Sequence, residues 1–418
     1  MRTLLAGADL VLPDRVAANH TLVIEHGRIA EVSGSLRTVT SGERRLDLSG
    51  HIIVPGFIDV HVHGVGGRDV QDGAGSIAAI AAALPRFGVA AFCPTTVACS
   101  AADLSVVLNE IRALRSAPNA RSSRVLPAHL ESNFVNPEYR GAQPAGCLRS
   151  PRSALEGGGA GRAGKAGKAG RENAEFHGAD ILAEIERAAP DVGIVTLASE
   201  LDGGLDLIKW LTSRGHRVSL GHSAATFDEA TAAIAAGARQ ATHLFNRMPP
   251  ISHRAPGLAG AVLQAEEVAA ELICDGAHVH PAMVRAAISA KQPSRVMAIT
   301  DATAVAGLPP GARASLGGRP IVAGETTALL PDGTIAGSRT TMDRVFQMLI
   351  GAGGQSLVTA AVMCATTPAR ELGMVGYGVL VADASADLAV LDANLSVVQT
   401  YVGGQLVYAR NTAVPAAV

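Results

Sequence analysis

A chain of 418 residues exceeds what one small core can organise, so a large barrel or two domains is expected. Hydrophobic residues make up 48% and charged residues 17%, which excludes wholesale disorder, and a formal net charge of −2 supplies no field to recruit nucleic acid or an anionic membrane. No apolar run reaches membrane length, and Asp9 interrupts the N-terminal apolar run too early for a signal-peptide core.

Residues 1–50 read as short strands and turns, for example Leu22-Val23-Ile24-Glu25 followed by the His26-Gly27 turn. The last fifty residues read alike, with Asp387 to Leu391, Val397 to Val402 and a Gly403-Gly404 turn. Both ends are therefore expected to build one small β domain, residues 1–50 with 372–418, of β-sandwich type. Residues 51–371 alternate apolar strands with helical patterns, the mark of a parallel α/β architecture. Strand candidates fall at 52–63, 89–95, 125–131, 192–198, 217–222, 239–243, 269–275 and 295–301. Helical spacing recurs at Ile77 to Phe87, Leu205 to Arg214 and Asp228 to Ala236. Eight strands with intervening helices is the count of a (β/α)8 TIM barrel. A doubly wound open sheet is the alternative, but it would more often carry a Gly-rich dinucleotide turn after its first strand. Around 144–178 the pattern breaks into a basic insertion, glycine-rich from Glu156 to Arg171, which reads as a flexible surface segment or a cationic flap.

Chemistry-bearing residues sit at the ends of these candidate strands. In an extended strand alternate side chains share a face, so His61 and His63 point the same way and can share a metal ion. Glu131, His222, His243 and Asp301 end later strands, and in a parallel barrel those carboxyl ends form one rim. A glutamate with two histidines and an open position for water is a set suited to metal-assisted hydrolysis. The five cysteines are scattered, odd in number and without CxxC spacing, which points to reduced thiols and a cytoplasmic location.

The ordered series Pro55-Gly56-Phe57-Ile58-Asp59-Val60-His61-Val62-His63-Gly64, His129-Leu130-Glu131, Gly221-His222-Ser223, Thr242-His243-Leu244-Phe245-Asn246, Asp275-Gly276-Ala277-His278, Thr300-Asp301-Ala302-Thr303 and Gly337-Ser338-Arg339-Thr340-Thr341-Met342 resembles the N-acetylglucosamine-6-phosphate deacetylases of the amidohydrolase superfamily. The resemblance covers nearly the whole chain. It implies a divalent metal on Glu131, His222 and His243, a second on the His61–His63 pair with Glu131 as bridge, and Asp301 as catalytic acid/base. Zinc is the expected ion, with iron, cobalt or manganese as alternatives, and one or two ions per subunit. Substrate contacts implied are Asn246, His278, Ser338, Arg339, Thr340 and Arg254, the last reaching a neighbouring subunit's site in a homodimer.

Three departures stand out: Ser132-Asn133 replaces Gly-Pro, Gln143 takes a histidine's place, and Arg247 takes an alanine's. Arg247 is expected to supply the charge that the histidine supplies elsewhere, keeping a phosphorylated substrate. Within the same fold, dihydroorotase-like or aminoacylase-like amidohydrolases are alternatives, but they often bridge metals with a carboxylated lysine, and no lysine ends a strand here. A non-catalytic sugar-phosphate sensor is the alternative of a different class.

Overall fold

A computed structural model describes residues 2–34, 43–157 and 176–410. Most of the Gly-rich insertion, residues 158–175, lies outside the described residues. Strands Phe57–Val62, Val89–Thr96, Ala128–Glu131, Val192–Leu197, Arg217–Leu220, Gln240–Ala241, Ala269–Ile273 and Val296–Ile299 pair in parallel, each with the next in sequence. A parallel bridge from Val62 to Ala302, with His63 and Gly64 both donating to the Ala302 carbonyl, brings the first strand against the last. The result is a nearly closed eight-stranded barrel of the TIM type. Phe57–Val62 and Val89–Thr96 are buried along their whole length, as strands covered on both faces must be.

The helices form where the apolar spacing placed them. Ser76–Ala83 runs on into the 3-10 turn Leu84–Phe87, and Gly204–Ser213 and Phe227–Ala235 pack on the barrel. Phe227–Ala235 starts on a capping box: the Glu229 N–H donates to the Thr226 hydroxyl, and the Glu229 carboxylate accepts from the Thr226 N–H.

Both chain ends contribute to one small sheet in the order 405–409, 397–402, 388–391, 52–55, 2–11, 16–25 and 28–33, with Glu43–Asp47 parallel to Arg2–Val11. Ile52–Pro55 was expected to begin the first barrel strand. It pairs instead with Leu388–Leu391 and Arg2–Val11, because Gly56 lies so close to Ala90 and Leu388 that the chain crosses between the two sheets there. A further antiparallel sheet, Arg313–Leu316, Arg319–Ala323, Thr327–Leu329 and Ile335–Ser338, follows the eighth barrel strand and was not anticipated. Its last strand folds back on the rim, where Ser338 N–H donates to the Asp301 carbonyl.

Candidate metal centre and substrate pocket

The rim residues are aimed by unusual backbone. His222, His243 and Asp301 have φ of 48°, 30° and 50°, as do Phe245 and Arg247 at 78° and 53°. Non-glycine residues in this region are strained, and such strain concentrates where side chains must be held for function. Gly337, with φ 74°, lets the chain pass behind Asp301: a Cβ there would sit 2.8 Å from the Asp301 carbonyl oxygen.

Two groups of donors result. In the first, Glu131 Oε1 lies 2.8 Å from His222 Nε2 and 2.9 Å from His243 Nε2, and the two nitrogens are 3.1 Å apart. In the second, His61 Nε2 and His63 Nε2 are 3.2 Å apart, Asp301 Oδ1 is 3.4 and 3.3 Å from them, and Glu131 Oε2 is 3.5 Å from His63 Nε2. Donors held at roughly 2.0–2.1 Å around a tetrahedral ion lie about 3.3 Å from one another, so both spacings suit one.

Tautomers agree with this. His222 Nδ1 donates to the Tyr139 carbonyl at 2.7 Å and His63 Nδ1 to the Thr95 carbonyl at 3.2 Å. Because carbonyls only accept, Nδ1 carries the hydrogen in both rings and Nε2 is the atom turned towards each group. Charge agrees as well. Burial pushes His61 down, but the Asp301 and Glu271 carboxylates outweigh it and hold the ring at about 9. Burial likewise opposes protonation of His63, yet hydrogen bonds to Asp301 and Glu131 raise it to about 10. Burial would raise Glu131 and Asp301, but the surrounding imidazoles hold both carboxyls below the usual range. A cluster that binds protons this firmly is one that seeks positive charge, and a divalent cation supplies it.

Glu131, His63, His222, His243 and Asp301 line a pocket of about 410 Å³ together with Gln143, Asn246, Arg247 and His278. His278 Nδ1 lies 2.6 Å from Asp275 Oδ2, and its buried Nε2 has no hydrogen-bond partner among the described residues. Burial is outweighed there by the Asp275 carboxylate, which raises His278 above the ordinary range. The Arg247 guanidinium lies against Gly141, where a Cβ would come within 2.6 Å of Nε. Gln143 is buried with its amide committed: Oε1 accepts from the Ala98 N–H at 2.7 Å, and Nε2 donates to Glu131 Oε2 at 2.5 Å. It therefore orients the carboxylate from the pocket wall.

Other expected residues stand apart. Ser338 is buried with its hydroxyl donated to the Thr300 carbonyl, and Arg339 donates to the Leu308 and Glu325 carbonyls. Arg339 and Thr340 line a neighbouring cleft rather than this pocket, because the returning strand turns them behind Asp301. Arg254 is exposed on the loop before helix Gly257–Gln264 and does not line its own pocket. Ser132 and Asn133 are structural: Ser132 Oγ donates to the Thr196 carbonyl, and Asn133 Nδ2 ties the Cys99 and Cys147 carbonyls at 2.7 and 2.8 Å.

Two residues were overlooked. Asp59 accepts from the Thr300 hydroxyl at 2.6 Å beneath the rim, and burial pushes its carboxyl up to about 7. Glu271 lies 2.8 Å from His61 Nδ1. Their signal is a lone carboxylate within an apolar strand, Asp59 in Phe57–Val62 and Glu271 in Ala269–Ile273.

A parallel barrel with convergent imidazoles and carboxylates at its carboxyl rim defines a hydrolase of the amidohydrolase class. No protein-family model matches the chain. It is 35% identical over 379 residues to the N-acetylglucosamine-6-phosphate deacetylase of Danio rerio, covering 88% of this chain and 87% of that protein. It is 33% identical over 393 residues to the N-acetylgalactosamine-6-phosphate deacetylase of Escherichia coli O157:H7, covering 93% and 94%. Among solved structures, a mutant N-acetyl-D-glucosamine-6-phosphate deacetylase from Mycobacterium smegmatis, in complex with N-acetyl-D-glucosamine-6-phosphate, superposes with TM-score 0.84 at 29% identity over 97% of this chain and 99% of that one. The chain belongs to the N-acetylglucosamine-6-phosphate deacetylase family.

Proposed function

We propose that the protein hydrolyses the N-acetyl group of N-acetylglucosamine 6-phosphate, or of a closely related N-acyl amino-sugar phosphate, to the amino-sugar phosphate and acetate. The observation that carries this is the convergence of Glu131, His222 and His243 within 3.1 Å of one another, beside Asp301 in one pocket. Glu131, His222 and His243 would hold one divalent ion, and His61, His63 and Asp301 a second. When bound there, a divalent cation acidifies water and polarises a carbonyl oxygen. Zinc suits the mixed nitrogen and oxygen donors, and iron, cobalt or manganese would be accommodated by the same set.

Asp301 takes the proton of the attacking water as general base and returns it to the departing nitrogen as general acid. Its ionised state, favoured by His61 and His63 against burial, is the one a base requires. Gln143 fixes the Glu131 carboxylate, and the strained backbone at His222, His243 and Asp301 fixes the reacting geometry before substrate arrives. His278, with its unpartnered Nε2, donates to the sugar phosphate, and Asn246, whose Nδ2 is given to the His243 and Leu244 carbonyls, offers its amide oxygen to a sugar hydroxyl. Arg247 adds a guanidinium, whose planar fork matches phosphate oxygens. Arg254, exposed and outside its own pocket, reaches the substrate of a second copy, which makes the working form a homodimer. Among the described residues no helix is long and apolar enough to cross a membrane, and all five cysteines are buried and none is in a disulfide, which supports the cytoplasm as location.

The E. coli relative favours one further reading, in which the substrate is the galactosamine epimer. Acetate release from the two 6-phosphates and from plain N-acetylglucosamine decides among these. The 6-phosphates are expected to be cleaved at least about tenfold more efficiently, as charge-assisted hydrogen bonds to phosphate require. Equal efficiency on the plain sugar would refute the phosphate assignment.

A further inference from the structure

Beneath the rim the barrel interior carries a line of polar groups that no part of the reaction uses directly. Glu271 lies on the seventh strand, Ala269–Ile273, and is fully buried. Its Oε2 is 2.8 Å from His61 Nδ1 and 3.4 Å from the His243 main-chain nitrogen. Its Oε1 accepts from Gln240 Nε2 at 2.5 Å. Gln240 cannot flip freely, because its Oε1 accepts from Arg217 Nε at 2.7 Å, and Arg217 is anchored in turn on Glu371 at 2.5 Å. A side chain so fully specified, from the far end of the barrel to an imidazole at the rim, sets the direction of that ring.

His61 is thereby distinguished from the other histidines of the two groups. His63 and His222 donate Nδ1–H to main-chain carbonyls, whereas His61 donates to a carboxylate, a stronger acceptor that makes the ring a more basic donor at Nε2. We infer that Glu271 is a positioning residue: it holds His61 as the Nδ1–H tautomer, aims Nε2 at His63 and Asp301, and determines whether that deeper group takes a divalent ion. This rests on the reading that the donor groups bind divalent ions.

Glu271→Gln keeps the shape but breaks the pattern. Its amide NH2 must face either the His61 Nδ1–H or the Gln240 NH2, and both are donors.

The test is titration of metal-free wild-type and E271Q protein with Co²⁺, with ions counted by elemental analysis and the sites followed by visible absorption. Wild type is expected to take two ions. E271Q is expected to keep the ion of Glu131, His222 and His243 while binding the other about 10–100-fold more weakly, the usual effect of losing such a partner. Two ions in E271Q at wild-type affinity would overturn the role of Glu271 alone. A wild type that takes a single ion would overturn it too, leaving metal-dependent hydrolysis standing, whereas one that takes none would overturn both readings. Should E271Q fail to fold, ¹⁵N-histidine NMR of the zinc-loaded wild type gives the same answer. A protonated Nδ1 on His61 supports the inference, and an unprotonated Nδ1 contradicts it.

Discussion

Two glutamates, Glu131 buried and Glu371 half-buried, sit at opposite ends of the barrel, and their partners separate function from structure. Glu131, at the rim, is surrounded by His61, His63, His222 and His243; among the described residues every ion-pair partner of Glu131 and Asp301 is a histidine. Glu371, at the other end, is held by Arg217, Arg295 and Arg370, whose charge is permanent. Burial would raise Glu371, but Arg370 and Arg217 outweigh it and keep its carboxyl below the usual range. A carboxylate neutralised by guanidinium groups needs nothing more from outside. One neutralised only by imidazoles, which give up their protons to become ligands, is ready for a cation.

That contrast predicts opposite phenotypes for changes at the two ends. Asp301→Asn at the rim is expected to lower kcat by about 10²–10⁴-fold, the range for a lost general base, with thermal stability retained. An Asp301→Asn enzyme at wild-type rate would remove Asp301 from the chemistry. Next in size, Arg247→Ala is expected to raise KM for the 6-phosphate by about 10–100-fold, the value of one charge-assisted contact, and to leave the plain N-acetyl sugar unaffected. Steady-state kinetics on both substrates reads this directly; a parallel loss on both would make Arg247 a structural residue.

The smallest effect on catalysis belongs to the other end. Glu371→Gln is expected to leave kcat unchanged while costing about 2 kcal/mol of stability at pH 7, as a charge-assisted network loses its anion. Because the folded Glu371 carboxyl lies below its unfolded value, its stabilisation is complete above the ordinary glutamate range and is lost as pH falls through the folded value. The melting curves of wild type and Glu371→Gln should therefore differ at pH 7 and converge in acid, starting near pH about 4.5. A gap that stays constant with pH would show that charge is not what Glu371 contributes.

Legibility in the sequence follows the same division. Glu131, His222, His243 and Asp301 can be found because each closes an apolar run, and a parallel barrel gathers such ends at one rim. His61 and His63 are legible from strand alternation alone. Glu271 is not, since it sits mid-strand and its role depends on a partner 210 positions away. The sheet from Arg313 to Ser338 escapes notice because its strands are three to five residues long, so the buried face of Leu316, Ile321, Ala323, Ala328 and Ala336 is broken into pairs and single residues among Gly, Pro and Arg. For that reason Ser338, Arg339 and Thr340 could be tied to the site by motif, while their orientation behind Asp301 could not. Arg247 and Gln143 show the reverse: the exchange of residue types is visible in sequence, and the fold adds that both line the pocket while the Gln143 amide is spent on Glu131.

The most direct measurement is acetate release from N-acetylglucosamine 6-phosphate by protein stripped of metal with a chelator and then resupplied with Zn²⁺. Loss of turnover on stripping and its return with the ion is the predicted result. Undiminished turnover by demonstrably metal-free protein, or no acetate from the reloaded one, would contradict the account.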